Sequence, residues 1–236
     1  MQPNLVIIRH GQSKFNLEDR FAGWIDTDLT EEGERQAKAA AETITKSGFN
    51  PDVIFTSPFT RAKRTAQFLF PGRELKEDAR LVERFYGGLS GKNKEDTLKE
   101  IGDDMFLKIR RGYDTAPPPI TKDNREHASI MEAFNKWIKG TFTHELPETE
   151  SLQHVEARVK PFYETVLKPL LREGKKVLIV AHGNSLRALI KLLKDIPPEA
   201  IAHVELETAQ PAGFVVDKNV KVTLDSVGKP FAEVFS

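Results

Sequence analysis

Two short, continuously apolar runs, Leu5-Val6-Ile7-Ile8 and Val177-Leu178-Ile179-Val180-Ala181, each lead into a histidine followed by a glycine. Runs this short and this rich in β-branched residues predict strands buried on both faces, the kind found in parallel sheets covered by helices. The chain between and after them fits that arrangement. Thr30 reads as the N-cap of a helix whose first turn holds Glu31 and Glu32 and which ends near Ser47 and Gly48. Val53-Ile54-Phe55 predicts a further buried strand. Ser57-Pro58 reads as an N-cap with proline at the first helical position, opening a helix to about Phe70. Leu152, Val155, Val159, Phe162, Val166 and Leu170 recur at helical spacing, and Gly174 ends that amphipathic helix. A helix from Ser185 to about Lys194 follows the second run, and Phe214–Val216 with Val220–Leu224 predict a strand pair. Strands alternating with helices imply an α/β fold, a three-layer α/β/α arrangement with a mostly parallel central sheet.

The 236 residues suit one large domain, 1–236. The pattern weakens over about 71–147, where two short charged helices are expected at 94–101 and 103–111 and Ala116-Pro117-Pro118-Pro119 breaks any helix. This stretch reads as an insertion over the core, without a core of its own. Lys and Arg total 35, against 35 Asp and Glu, which argues against a general nucleic-acid binder but permits a local basic pocket. With no cysteine there is no disulfide, no thiolate metal site and no cysteine nucleophile. The apolar run at 5–8 is too short for a signal sequence, and no stretch reaches the roughly 18 apolar residues of a membrane span. The expectation is a soluble cytoplasmic protein with no membrane or nucleic-acid partner.

Arg9-His10-Gly11-Gln12-Ser13 and Ala181-His182-Gly183-Asn184-Ser185 are the same strand–His-Gly-x-Ser device used twice. Ligands of open α/β sheets bind at the carboxyl ends of strands. If the two strands are neighbours, both imidazoles meet one crevice. Arg9 disfavours the imidazolium and keeps His10 neutral, as a nucleophile requires. The same cation suits negative charge on an attacked phosphoryl group. Arg61, four residues past Ser57, would lay its guanidinium over a helix N-terminus, which makes an anion site; Lys63 and Arg64 would face solvent. Taken as structure alone, each residue has a plainer reading. His10 could be an ordinary strand-end residue, Arg9 a surface ion pair, Glu83 a salt-bridge partner of Arg84, and Arg110-Arg111 a charged helix end. His127, His144, His154 and His203 lack metal-ligand spacing, so no metal is expected.

The run from Leu5 to Ser13 resembles the signature of the histidine phosphatase superfamily. More narrowly, the chain is similar to the 2,3-bisphosphoglycerate-dependent phosphoglycerate mutases over roughly residues 4–217. The resemblance is carried by Asn16, Arg20–Trp24, Asp28–Gly33, Thr56-Ser57 with Arg61-Ala62, Glu83–Gly87, Gly91–Lys94, Arg110–Gly112, Glu150–Leu152 and Ala181–Ala188. It implies a phosphoglycerate mutase-like fold with the insertion over the active site. It further implies interconversion of 2- and 3-phosphoglycerate through a phosphohistidine, with 2,3-bisphosphoglycerate as phosphoryl donor, no metal, and a homo-oligomer (dimer or tetramer). By the same resemblance His10 is the nucleophile, while Arg9, Arg61, His182 and Asn16 bind the transferring phosphoryl group. Glu83 is the general acid and base. Tyr86, Lys94, Arg110, Arg111 and Asn184 hold the rest of the substrate, with backbone at Ala22 and Gly23 meeting its carboxylate.

Those roles suit phosphoryl transfer, which needs positioning and dispersed positive charge. A second cation cluster at Lys94, Arg110 and Arg111 suits a mutase, which must hold a non-reacting anion too, better than a phosphatase. A phosphatase using the same phosphohistidine is the alternative; a non-catalytic anion-binding module is a third. The chain departs from the family at Gln12, Ala22, Val82, Phe85 and Thr208–Pro211. Val82 and Phe85 flank Glu83 and would make its surroundings apolar, which favours a protonated carboxyl. The tail after Asp217 is expected to be mobile and to cover the active site.

Overall fold

The computed structural model describes residues 2–235. Its strands are β1 (Leu5–Arg9), β2 (Val53–Thr56), β3 (Lys76–Glu77), β4 (Val177–Ala181), β5 (Pro211–Val216) and β6 (Val222–Asp225). Its helices are α1 (Lys14–Leu17), α2 (Glu31–Lys46), α3 (Thr60–Leu69), α4 (Lys94–Ile101), α5 (Asp103–Arg111), α6 (His127–Ala133), α7 (Leu152–Phe162), α8 (Lys168–Arg172), α9 (Gly183–Lys194) and α10 (Phe231–Val234). The strands form one sheet in the order β3-β2-β4-β1-β5-β6. The β3–β2, β2–β4 and β4–β1 pairings are parallel, whereas β5 and β6 are antiparallel additions.

Alternation along the central strands divides the core between two faces. Leu5, Ile7, Val177 and Ile179 pack against α7, α8 and α9, and Val6, Ile8, Leu178 and Val180 pack against α2, α3 and α10. That is the three-layer arrangement. All five residues of β4 are fully buried, and each large aliphatic among them contributes about 1.5–3 kcal/mol by leaving water.

The start of α2 follows its sequence signals: Thr30 accepts from the Gly33 N–H, and the acidic first turn is in place. The helix after β2 does not. Ser57 accepts from the Phe59 N–H, and the Thr60 N–H is taken by Asp26 at 2.8 Å. The chain therefore turns through 57–59, and α3 begins at Thr60. Arg61 sits in the first turn of α3, not a full turn beyond a cap at Ser57. Between α7 and α8, Tyr163–Leu167 form one wide π-helical turn. It lies between Pro161 and Pro169, neither of which can donate to the helical ladder.

The structure adds detail to one further expectation and corrects another. Within 71–147, β3 pairs with β2, and Ile130, Ala133, Phe134 and Ile138 form an apolar cluster with Trp24, Phe59, Val82 and Phe85. The stretch thus extends the sheet by one strand and shares a small core with the loops beneath it. The tail is not a loose cover: 222–225 is β6, and Phe231 and Phe235 are buried. Gly213 of β5 leaves the room they occupy, since a Cβ there would lie 2.5 Å from the Phe235 ring and 2.6 Å from that of Phe231.

Candidate active site

β1 and β4 run parallel in register, Arg9 opposite Ala181, and the His10 N–H donates to the Ala181 carbonyl at 3.0 Å. The next residues of the two strands, His10 and His182, are therefore side by side, their ring centroids 5.1 Å apart in an edge-on contact. The loop leaving His10 is fixed by backbone crossing. A Cβ on Gly11 would lie 2.4 Å from the Gly33 carbonyl oxygen, and one on Gly33 would lie 2.1 Å from that of Gln12. Only two glycines allow this approach. Gln12 accepts from the Thr30 hydroxyl at 2.8 Å, and the Gly11 N–H donates to Thr65 of α3. The first strand end is thereby tied to α2 and α3, two of the helices on one face.

His10 is buried, with Nδ1 2.7 Å from the Gly11 carbonyl. A carbonyl only accepts, so Nδ1 carries the proton and Nε2 presents a lone pair. Burial, then the Arg61 cation, then Arg9 hold this imidazole well below its ordinary pKa. The neutral ring expected from Arg9 is thus owed first to burial and next to Arg61. His182 is held low in the same way, by burial and then by Arg61. Its Nε2 meets the Ser57 hydroxyl at 2.9 Å, and its buried Nδ1 has no hydrogen-bond partner among the described residues.

Arg61 is 1% exposed, donates to the Ile25 and Gly23 carbonyls, and keeps Nε unpartnered. Burial lowers its pKa to about 10, which leaves it a cation at neutral pH. Arg9 donates to the Leu206 carbonyl at 3.0 Å, and its buried Nε is likewise free of any described partner. Neither guanidinium has a carboxylate partner among the described residues. Buried cations without an anion are costly, and these two flank the neutral imidazole of His10.

Glu83 lies in the stretch 83–86, which belongs to no helix or strand. Its Oε1 accepts from the backbone N–H groups of Arg84, at 2.7 Å, and Asn184, at 3.1 Å. It makes no salt bridge with Arg84, whose buried guanidinium turns away to the Ile109 carbonyl and the Tyr86 ring. Val82 and Phe85 point into the cluster around Trp24, while the Glu83 side chain lines the cavity.

The remaining expected residues line that same cavity. Asn16 accepts from Ser13, whose hydroxyl caps α1, and so keeps its amide N–H groups free for a ligand. Ala22 and Gly23 form one wall beside Arg61. Tyr86 and Asn184 are joined at 3.1 Å. Lys94 begins α4, while Arg110 and Arg111 end α5. Lys94 is paired with Asp19 at 2.7 Å and Arg111 with Glu205 at 2.6 Å, rim contacts of the exposed kind that are worth at most about 1 kcal/mol. His182 is the expected residue that does not reach the cavity wall; it backs His10 from behind. The cavity is also lined by Ser13, Arg20, Phe21, Gly183, Arg187 and Leu206, to which no role was given from sequence. Arg187 follows Asn184 by three residues on α9, a helical spacing that could have flagged it. Leu206 contributes a carbonyl, which no side-chain pattern reveals.

Seven cations (Arg9, Arg20, Arg61, Lys94, Arg110, Arg111 and Arg187) and one acid, Glu83, therefore face one cavity in a chain of zero net charge. No group of three or more potential metal ligands occurs among the described residues. The sequence profile of the histidine phosphatase superfamily (branch 1) matches residues 5–129 and 119–223. The 2,3-bisphosphoglycerate-dependent phosphoglycerate mutase of Caulobacter sp. (strain K31) is 42% identical over 227 residues, 94% of this chain and 92% of its own length. That of Zymomonas mobilis is 44% identical, over 92% of this chain and 95% of its own.

The chain belongs to the phosphoglycerate mutase family of the histidine phosphatase superfamily.

Solved structures of the superfamily share the fold. A mycobacterial glucosyl-3-phosphoglycerate phosphatase in complex with VO3 superposes with a TM-score of 0.69 at 27% identity, over 89% of this chain and 91% of that one. YhfR of Bacillus stearothermophilus gives a TM-score of 0.69 over 98% of both chains at 24% identity.

Proposed function

We infer that this chain interconverts 2-phosphoglycerate and 3-phosphoglycerate through a phosphohistidine at His10. The observation that carries the reading is the neutral, buried His10 between two buried guanidiniums, Arg9 and Arg61, that have no carboxylate partner among the described residues. His10 Nε2 forms the N–P bond as the donor's P–O bond breaks. Arg9 and Arg61 spread the charge on the phosphoryl oxygens, while His182, packed edge-on against His10, steadies the nucleophile's ring. Glu83 gives its proton to the departing oxygen, then takes one from the hydroxyl that attacks the phosphohistidine. Asn16 assists at the phosphoryl group. Lys94, Arg110, Arg111, Tyr86 and Asn184 hold the non-reacting end, with the backbone of Ala22 and Gly23 at the carboxylate.

The free buried N–H groups of Arg9, Arg61 and Arg187 fit a small polyanion such as 2,3-bisphosphoglycerate, which supplies the phosphoryl group that loads His10. We further propose a cytoplasmic enzyme of one domain, with 71–147 as its insertion. Its partners are small phosphoglycerates and a second copy of itself, as dimer or tetramer; no metal is required.

The test is isomerisation of 3-phosphoglycerate with and without trace 2,3-bisphosphoglycerate, in EDTA, with free phosphate followed in parallel. The expected result is isomerisation stimulated by the bisphosphate and abolished in His10→Ala. Phosphate release without isomerisation would instead make the chain a phosphatase, like its mycobacterial structural neighbour.

A further inference from the structure

Residues 83–86 belong to no helix or strand, yet the backbone on both sides of the Glu83 side chain is fixed from behind by a buried ion pair. Arg158 of α7 and Glu150, 6% and 5% exposed, meet through Nε–Oε1 at 2.8 Å and NH2–Oε2 at 3.1 Å. Arg158 NH2 also donates to the Glu83 carbonyl at 3.0 Å, and its NH1 to the Arg80 carbonyl at 2.7 Å. Glu150 Oε2 accepts from the Phe85 N–H at 2.8 Å, while the Glu150 N–H donates to the Phe85 carbonyl at 3.0 Å. Trp24 Nε1 adds a second donor to the Glu83 carbonyl at 2.7 Å. None of Arg158, Glu150 and Trp24 lines the cavity.

A buried ion pair is by itself a poor source of stability, because desolvating both charges offsets most of their attraction. Here nearly every bond the pair makes outside itself ends on the backbone at 80–85. We propose that Glu150 and Arg158 are positioning residues, whose ion pair sets the height and direction of the Glu83 carboxyl at the transfer site. The inference rests on the acid–base role proposed above for Glu83. An oxygen that must both give and take a proton tolerates little displacement, and misplacement by 1 Å costs rate, not binding.

The test is a double-mutant cycle on kcat and KM for 3-phosphoglycerate, using Arg158→Lys and Glu150→Gln in the wild-type and Glu83→Gln backgrounds. Alone, Arg158→Lys is expected to lower kcat roughly ten- to a hundredfold while KM stays within about twofold. In the Glu83→Gln background the same change should lower kcat no further, because the group it positions is gone. An equal loss in both backgrounds, or an unchanged kcat for Arg158→Lys, overturns the proposal. Trp24→Phe, which removes one donor to the Glu83 carbonyl, replaces any variant that does not fold; loss of folding in all three would assign the pair to stability alone and overturn it as well. A Glu83→Gln enzyme with unchanged kcat would instead remove the acid–base role of Glu83 itself.

Discussion

His10 and His182 are neutral because they are buried beside cations, and this has a cost in acid. Both native pKa values lie well below the ordinary value near 6.5. Below about pH 6.5 the unfolded chain therefore binds more protons than the native one. The sign follows: this contribution to stability is complete above about pH 6.5 and is lost as pH falls toward the native values. Ordinary carboxylates titrate lower, near pH 4, so they leave that window largely clear. Thermal unfolding should show Tm falling from about pH 6.5 to pH 5, with a shallower fall in His10→Gln; a flat Tm over that range would contradict the burial argument. Gly183 offers a second residue-level test. A Cβ there would lie 3.7 Å from Glu83 Oε2 and 3.8 Å from Arg9 Nε, in ordinary contact with both. Gly183→Ala should fold with stability unchanged or raised by up to about 1 kcal/mol, since alanine is the better helix former. Its kcat should nonetheless drop, because the methyl group fills the space between acid and cation. Wild-type kcat in that variant would place the reacting oxygen elsewhere.

Elements whose ends are set by their own residues were legible in the sequence. Thr30 caps α2, and α4 and α5 fall at 94–101 and 103–111, with Asn93 and Gly102 at their boundaries. Elements set by distant partners were not. The start of α3 depends on Asp26 reaching the Thr60 N–H, a contact across 34 residues. The tail depends on the bare backbone of Gly213, which the sequence does not connect to Phe231 and Phe235. Because those rings pack under the sheet and no residue after 217 lines the cavity, the tail belongs to stability. Phe231→Ala should cost about 3–5 kcal/mol in denaturant unfolding, yet leave kcat per folded molecule and phosphate leakage unchanged. A rise in leakage with stability intact would restore the covering role.

At the scale of the molecule, the neutral total hides a polarised distribution: seven cations and a single acid line one cavity, and three of those cations (Arg20, Lys94 and Arg111) have carboxylate partners outside the lining. Such a cavity focuses potential and attracts small anions. The kcat/KM for 3-phosphoglycerate should fall as salt rises from about 0.1 M to 1 M, where the screening length shrinks from about 10 Å to about 3 Å. Lys94→Gln should weaken that dependence; salt-independent kcat/KM would mean the cavity charges do not steer substrate. The two strand ends pointed to one place in the fold because a parallel sheet brings like ends together. The supports of Glu83 stayed hidden because backbone carbonyls and an ion pair eight residues apart, Glu150 with Arg158, leave no periodic trace. The central claim is that the phosphoryl group passes through His10, and the most direct measurement follows it there. The protein would be loaded with 2,3-bisphosphoglycerate carrying labelled phosphoryl groups, separated rapidly from it and chased with unlabelled 3-phosphoglycerate. An acid-labile label on His10 that leaves with the chase and appears in the bisphosphate or phosphoglycerate pool is the expected result. Label that never attaches to His10 while isomerisation proceeds would contradict it.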